Sequence, residues 1–143
     1  MLMFLYFLAI FSTQAKATSI DEIKAIQNFA NNEMRLTALE EIVPSNLLDQ
    51  ASACEYFVNF SRALSNAGRI DEAKQKLLNE IREPSFNYDH INKGRLYREL
   101  ADVQYHNDDY EDSRRTIKKS DISLQKNTKF INLNWCYHKA SVD

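Results

Sequence analysis

Few side chains in this sequence are spaced for chemistry. Cys54 and Cys136 are its two cysteines, and His106 with Asp108 and Asp109 is the closest grouping of metal-ligand types. A stable metal site needs about four such ligands, and no second cluster stands ready to complete the shell. Turn and capping roles account for these three residues, so no metal is expected. Arg114, Arg115, Lys118 and Lys119 make the densest basic run. Their i, i+4 spacing places them along one side of a helix, where Asp108, Asp109, Glu111 and Asp112 balance them. A serine, histidine and aspartate in catalytic order, a glycine-rich phosphate loop and paired carboxylates in an apolar setting are all lacking. The expectation is therefore a protein without catalytic activity and without a cofactor.

The elements that would position these residues repeat. Cys54 to Ser85 reads as one helix, a tight turn at Gly68 and a second helix that ends at Pro84. Phe57, Tyr97 and Tyr137 follow one another at steps of forty residues. Phe60, Leu100 and Ala140 keep that step, as do Ser61, Ala101 and Ser141. Within each unit the three positions fall at i, i+3 and i+4, one face of a helix. Ala73 matches Ser113, Leu77 matches Ile117, and Pro44-Ser45 matches Pro84-Ser85 in the same register.

This pattern resembles the tetratricopeptide-repeat family. Phe57, Phe60-Ser61, Gly68, Ile70, Ala73, Leu77 and Pro84 stand at that family's motif positions. In the next unit Tyr97, Leu100-Ala101, Tyr110, Ser113 and Ile117 do so, with Asp108 in place of the glycine. The step exceeds the family's usual ~34 residues, and the excess falls in the connection 85–92. The resemblance implies an all-α fold, an α-solenoid of antiparallel helix pairs. It also implies a ligand groove lined by the first helix of each pair. Side chains off the core stripe there are Tyr56, Asn59, Arg62, Arg95, Glu99, Asp102 and Asn134, which makes them the candidate peptide contacts. The two cysteines lie in first helices two units apart. Adjacent helices are ~8–10 Å apart, whereas a disulfide needs Cα atoms within ~7 Å, so buried free thiols are expected.

Composition agrees with helices. Two glycines and two prolines in 143 residues argue against a turn-rich β fold. A formal charge of −2 gives no reason to expect nucleic acid as a partner. Residues 1–17 read as a signal peptide: an apolar run from Leu2 to Phe11, then Ala15-Lys16-Ala17 as a small-x-small cleavage site. That run is too short to span a bilayer at ~20 residues, so no membrane span is expected after the signal is removed. No Lys or Arg precedes it. Its brevity favours export to a bacterial periplasm.

The expected domain is 18–143, in units of about 19–44, 45–84 and 85–124, with an incomplete unit over 125–143. Ser19 and Glu22 form a capping box. Ile23, Ile26, Phe29 and Ala30 make the first apolar stripe, and Asn31-Asn32 interrupts it. Met34 and Ala38 then take the places of Ala73 and Leu77. Ser45 is expected to cap a helix over Asn46 to Asn66, with further helices over Ile70 to Arg82, His90 to His106 and Asp109 to Leu124. Lys74, Lys76, Asn79 and Glu80 form a solvated face. Gln125 to Thr128 reads as a turn, and Phe130 to Val142 as a further first helix without its partner. The expected function is a scaffold that binds a protein or peptide. The alternative is the exported sensor region of a longer membrane signalling protein, such as a diguanylate cyclase or sensor kinase. A transmembrane run after Asp143 would mark that alternative.

Overall fold

The computed structural model describes residues 17–128. Residues 1–16 of the predicted signal segment, and residues 129–143 of the incomplete last unit with Asn134, Cys136 and Tyr137, lie outside them. The described residues are all-α, with helices α1 (Ile20–Ile26), α2 (Asn32–Glu40), α3 (Gln50–Asn66), α4 (Ile70–Arg82), α5 (His90–His106) and α6 (Tyr110–Thr128). The one β-type contact is an isolated bridge between Thr18 and Leu47, beside a 3-10 turn over Pro44–Asn46. Among the described residues no helix is long and apolar enough to cross a membrane.

Local chemistry sets most of these boundaries. At the start of α1 the Ser19 hydroxyl accepts from the Glu22 amide, and the Glu22 carboxylate accepts from the Ser19 amide. Asn31, Asp49 and Asp89 cap α2, α3 and α5 in the simpler way, each taking the amide three residues on. The turn between α3 and α4 places Gly68 at φ 76°, and the turn between α5 and α6 places Asp108 at φ 59°. These positions are forty residues apart. Asp is among the few residues that tolerate the left-handed region, so it stands in for the glycine.

Three boundaries differ from the sequence reading. Helix α3 begins at Gln50 rather than Asn46, because Asp49 caps it and Ser45 lies in the 3-10 turn. Helix α1 stops at Ile26, so Phe29 and Ala30 are exposed beyond its end. Helix α6 continues through Gln125–Thr128, where no glycine or proline stops it.

Helices α1 and α2 pack on α3, α3 on α4 and α5, α4 on α5, and α5 on α6. The core holds Ile23, Leu39, Phe57, Phe60, Leu64, Leu77, Leu96 and Leu100. Two pairs of positions one step apart share their burial, Phe60 with Leu100 and Ser61 with Ala101, whereas Tyr97 and Ile117 are only half-buried where Phe57 and Leu77 are buried. Ser113, at the place of Ala73, donates from Oγ to the Ala101 carbonyl at 2.8 Å. The register fails in α2. Met34 is half exposed there, and Leu39 fills the core instead of Ala38.

Three side chains expected on a solvated face have other work. Glu80 is buried and accepts from the Ser85 amide and hydroxyl and from the Tyr88 hydroxyl, at 2.7–2.9 Å. It ties down the connection 83–89, the segment that lengthens the repeat step. Burial and the Glu80 bond push the Tyr88 hydroxyl pKa far up. Lys74 bonds Asp109 across the α4–α6 turn region, and the Lys76 ammonium lies 4.5 Å from the Phe60 ring centre.

Gly94 lets α5 and α6 approach closely. A Cβ there would lie 2.8 Å from Leu124 Cγ and Cδ2, and Ser120 Oγ donates to the Gly94 carbonyl at 2.8 Å. In an open helix Gly→Ala gains about 1 kcal/mol, but crowding a packed contact costs about 1–3 kcal/mol. Gly94→Ala is thus expected to lower stability, and Gly94→Ala with Leu124→Ala to recover most of the loss. Urea titration of the single and double variants reads both.

Candidate functional site

The candidate residues divide between a buried polar seam and an open cleft. Tyr56 belongs to neither. It is buried in the core, with ring centres 5.1 Å from Phe57 and 5.4 Å from Phe60, so it is not a groove residue. Burial pushes its hydroxyl pKa up to about 12. Asp102 is exposed on α5.

The seam joins α1, α3 and α5. Glu55 accepts from Arg95 Nη2 at 2.6 Å, from Gln27 Nε2 at 3.0 Å and from Asn59 Nδ2 at 3.2 Å. Gln27 Nε2 also donates to Asn59 Oδ1 at 2.6 Å. Further along, Glu99 accepts from Arg62 Nε at 2.9 Å and from Ser61 Oγ at 3.2 Å. Two reciprocal ion pairs therefore cross between α3 and α5, each with a nearly buried carboxylate and a half-exposed arginine. Asn59 and Glu99 are nearly buried by these contacts, and of the two only Asn59 keeps an edge on the open cleft. Periodicity alone could not show this, because the covering side chains come from other helices.

The two carboxylates respond oppositely to their surroundings. Burial alone would raise Glu55, but the Arg95 hydrogen bond and charge and the Asn59 bond outweigh it, holding the carboxyl below its ordinary value. At Glu99 burial prevails over Arg62 and Ser61, and nearby Asp102 adds repulsion, so that carboxyl is raised. A raised folded value means stability is greatest at low pH and falls as pH rises through that value. Glu99→Gln is therefore expected to gain on the parent chain as pH rises from the ordinary carboxyl value through the raised folded one. Denaturant midpoints across that range check it.

The cleft lies where α1, α2 and α3 meet. It has a volume of about 310 Å³, and Gln27, Asn32, Arg35, Asn59, Arg62 and Asn66 contribute its polar wall. Ile26, Leu39 and Ala63 supply the apolar remainder. Two predicted residues, Asn59 and Arg62, thus line it. Asn32, Arg35 and Leu39 come from a second helix rather than a first, and the sequence reading missed them. The signal that could have found Arg35 is its position one turn into a helix that follows the Asn31-Asn32 break.

Cys54 is a free, buried thiol whose Sγ lies 3.5 Å from the Asn92 carbonyl. Burial pushes it up to about 11, which leaves it inert near neutral pH. Of the basic run, Arg114 pairs with Glu111 and Arg115 with Asp112 on the exposed face of α6, while Asp109 is taken by Lys74. Among the described residues no group of three His, Cys, Asp or Glu side chains is placed to hold a metal. No family model, no curated protein and no solved structure matches this chain.

Proposed function

We propose that the chain is an exported helical-repeat scaffold of tetratricopeptide type, without catalytic activity, that binds a protein or peptide. Its signal segment is removed after Ala17, and its helix pairs stack as a solenoid. The observation that carries this reading is the recurrence of one backbone feature at the forty-residue step. Left-handed turns at Gly68 and Asp108 each join a long first helix to its second. Such stacking gives each helix pair a partner and leaves a continuous polar surface for a ligand.

Within the described residues the cleft is a concave surface at the low end of the ~300–1,000 Å³ range of binding pockets. The seam beside it fixes Gln27, Asn59 and Arg62, which it shares with the cleft wall. Selection of a displayed random-peptide library on the full chain, against the Arg35→Glu variant, tests the reading. Enrichment of peptides that require Arg35 supports it. Failure to enrich any sequence over the variant contradicts it.

A further inference from the structure

The cleft's two cations are unequally engaged. Arg62 donates Nε to Glu99, and its Nη2 lies 2.8 Å from the same carboxylate. Arg35 donates Nε and Nη2 to the Phe29 carbonyl, and it has no carboxylate partner among the described residues. A guanidinium carries five donor hydrogens in a fixed fork. Both arginines therefore keep Nη1 free of protein acceptors among the described residues. No Asp or Glu is among the residues lining the cleft, and Gln27, Asn59 and Asn66 add carboxamides to its wall. The result is a small concave surface with one guanidinium that has no carboxylate partner among the described residues, a second shared with Glu99, several neutral hydrogen-bonding groups and an apolar base.

We propose that this cleft binds a carboxylate ligand, with Arg35 as the primary cation and Arg62 as the second. The proposal deepens the binding reading above, since it concerns the same cleft, and it names the chemistry of what enters. A planar carboxylate matches the arginine fork in a way that a neutral amide does not. The engagement of Arg62 has a consequence for the seam. A carboxylate that draws Arg62 Nη2 toward the cleft weakens its hold on buried Glu99, so the ligand competes with a group inside the protein. Glu99 then takes up a proton more readily when the cleft is filled. The same chemistry could reach the cleft as a free dicarboxylic acid or as acidic side chains on a peptide.

Isothermal titration of the full chain with succinate, with succinamide and with acetyl-triglutamyl-amide distinguishes the sources. Succinate or the acidic peptide is expected to bind saturably, and succinamide not at all. Arg35→Gln is expected to weaken the binding by about tenfold or more, the loss of one charge-assisted hydrogen bond. The side-chain hydrogen bonds of Arg35 go to a backbone carbonyl, so this variant is expected to fold, as circular dichroism would verify. Affinity should fall with added salt, and binding should take up protons in the parent chain but not in Glu99→Gln. Equal binding of succinamide, no saturable binding of either acid, or an unchanged affinity in Arg35→Gln overturns the proposal. If neutral peptides from the displayed library bind while both acids fail, the scaffold reading stands and the carboxylate assignment falls.

Discussion

Replacing Phe60 with alanine is expected to destabilise the chain by about 3–5 kcal/mol, and replacing Leu100, one step on, by about 2–5 kcal/mol. Both side chains are only 3% exposed. Phe60 packs on Tyr56 and carries the Lys76 ammonium over its ring, so truncation removes apolar contact, an aromatic pair and a cation–π contact together. Leu100 holds the same place on α5. A domain of this size is stable by roughly 5–15 kcal/mol, so either loss is a large share of the total. Phe29, on the exposed segment after α1, is the control and should cost little. Urea unfolding of the three variants compares them directly. A Leu100→Ala cost below about 1 kcal/mol would break the equivalence of α3 and α5.

Glu55→Ala is expected to cost about 1–3 kcal/mol at neutral pH. The carboxylate is the common acceptor for Arg95, Gln27 and Asn59, and its removal leaves three donors short of a partner at the junction of α1, α3 and α5. The arginine side chain is 41% exposed, so part of its loss is made good by water, which keeps the figure below that for a fully buried pair. A double-mutant cycle with Arg95→Ala should give a coupling well above that of the exposed pair Arg69–Glu72 at the start of α4. Because the folded value of Glu55 is depressed, its contribution is present above the ordinary carboxyl value near 4.5 and is lost as pH falls through the lower folded value. Glu55 and Glu99, on adjacent helices, should therefore give pH dependences of opposite sign.

Much of the fold was legible where local chemistry decides it. Helices over Ile70–Arg82 and His90–His106 run as the periodicity indicates, and the Ser19–Glu22 box opens α1. Gly68 marked its turn because no other residue is as free there. Asp108 was found only through the register. The start of α3 was obscured because Leu47 and Leu48 extend its apolar stripe, although Leu47 is buried from the preceding turn and Leu48 is exposed. Helix α6 lacked a stop signal altogether.

The site was less legible, for a physical reason. Stripe positions tell which side chains leave the core of their own helix, but not what another helix lays over them. Asn59 and Glu99 are off the apolar stripe and yet buried, because Gln27, Arg62 and Ser61 complete a polar seam around them. Tyr56 is off the stripe and yet in the core, against the rings beside it. Arg62 was found, while Arg35 was not, since its role depends on how α2 leans on the end of α3.

The pairing of α3 with α5 at a nearly constant offset is the claim on which the account rests, and isotope-edited NOE spectroscopy on the full chain tests it most directly. Cross-peaks are expected from Cys54 to Asn92 and from Ser61 to Glu99, pairs that share one separation along the chain. Their absence, or cross-peaks that place α6 rather than α5 against Cys54 and Ser61, would contradict the stacked arrangement and with it the proposed binding surface.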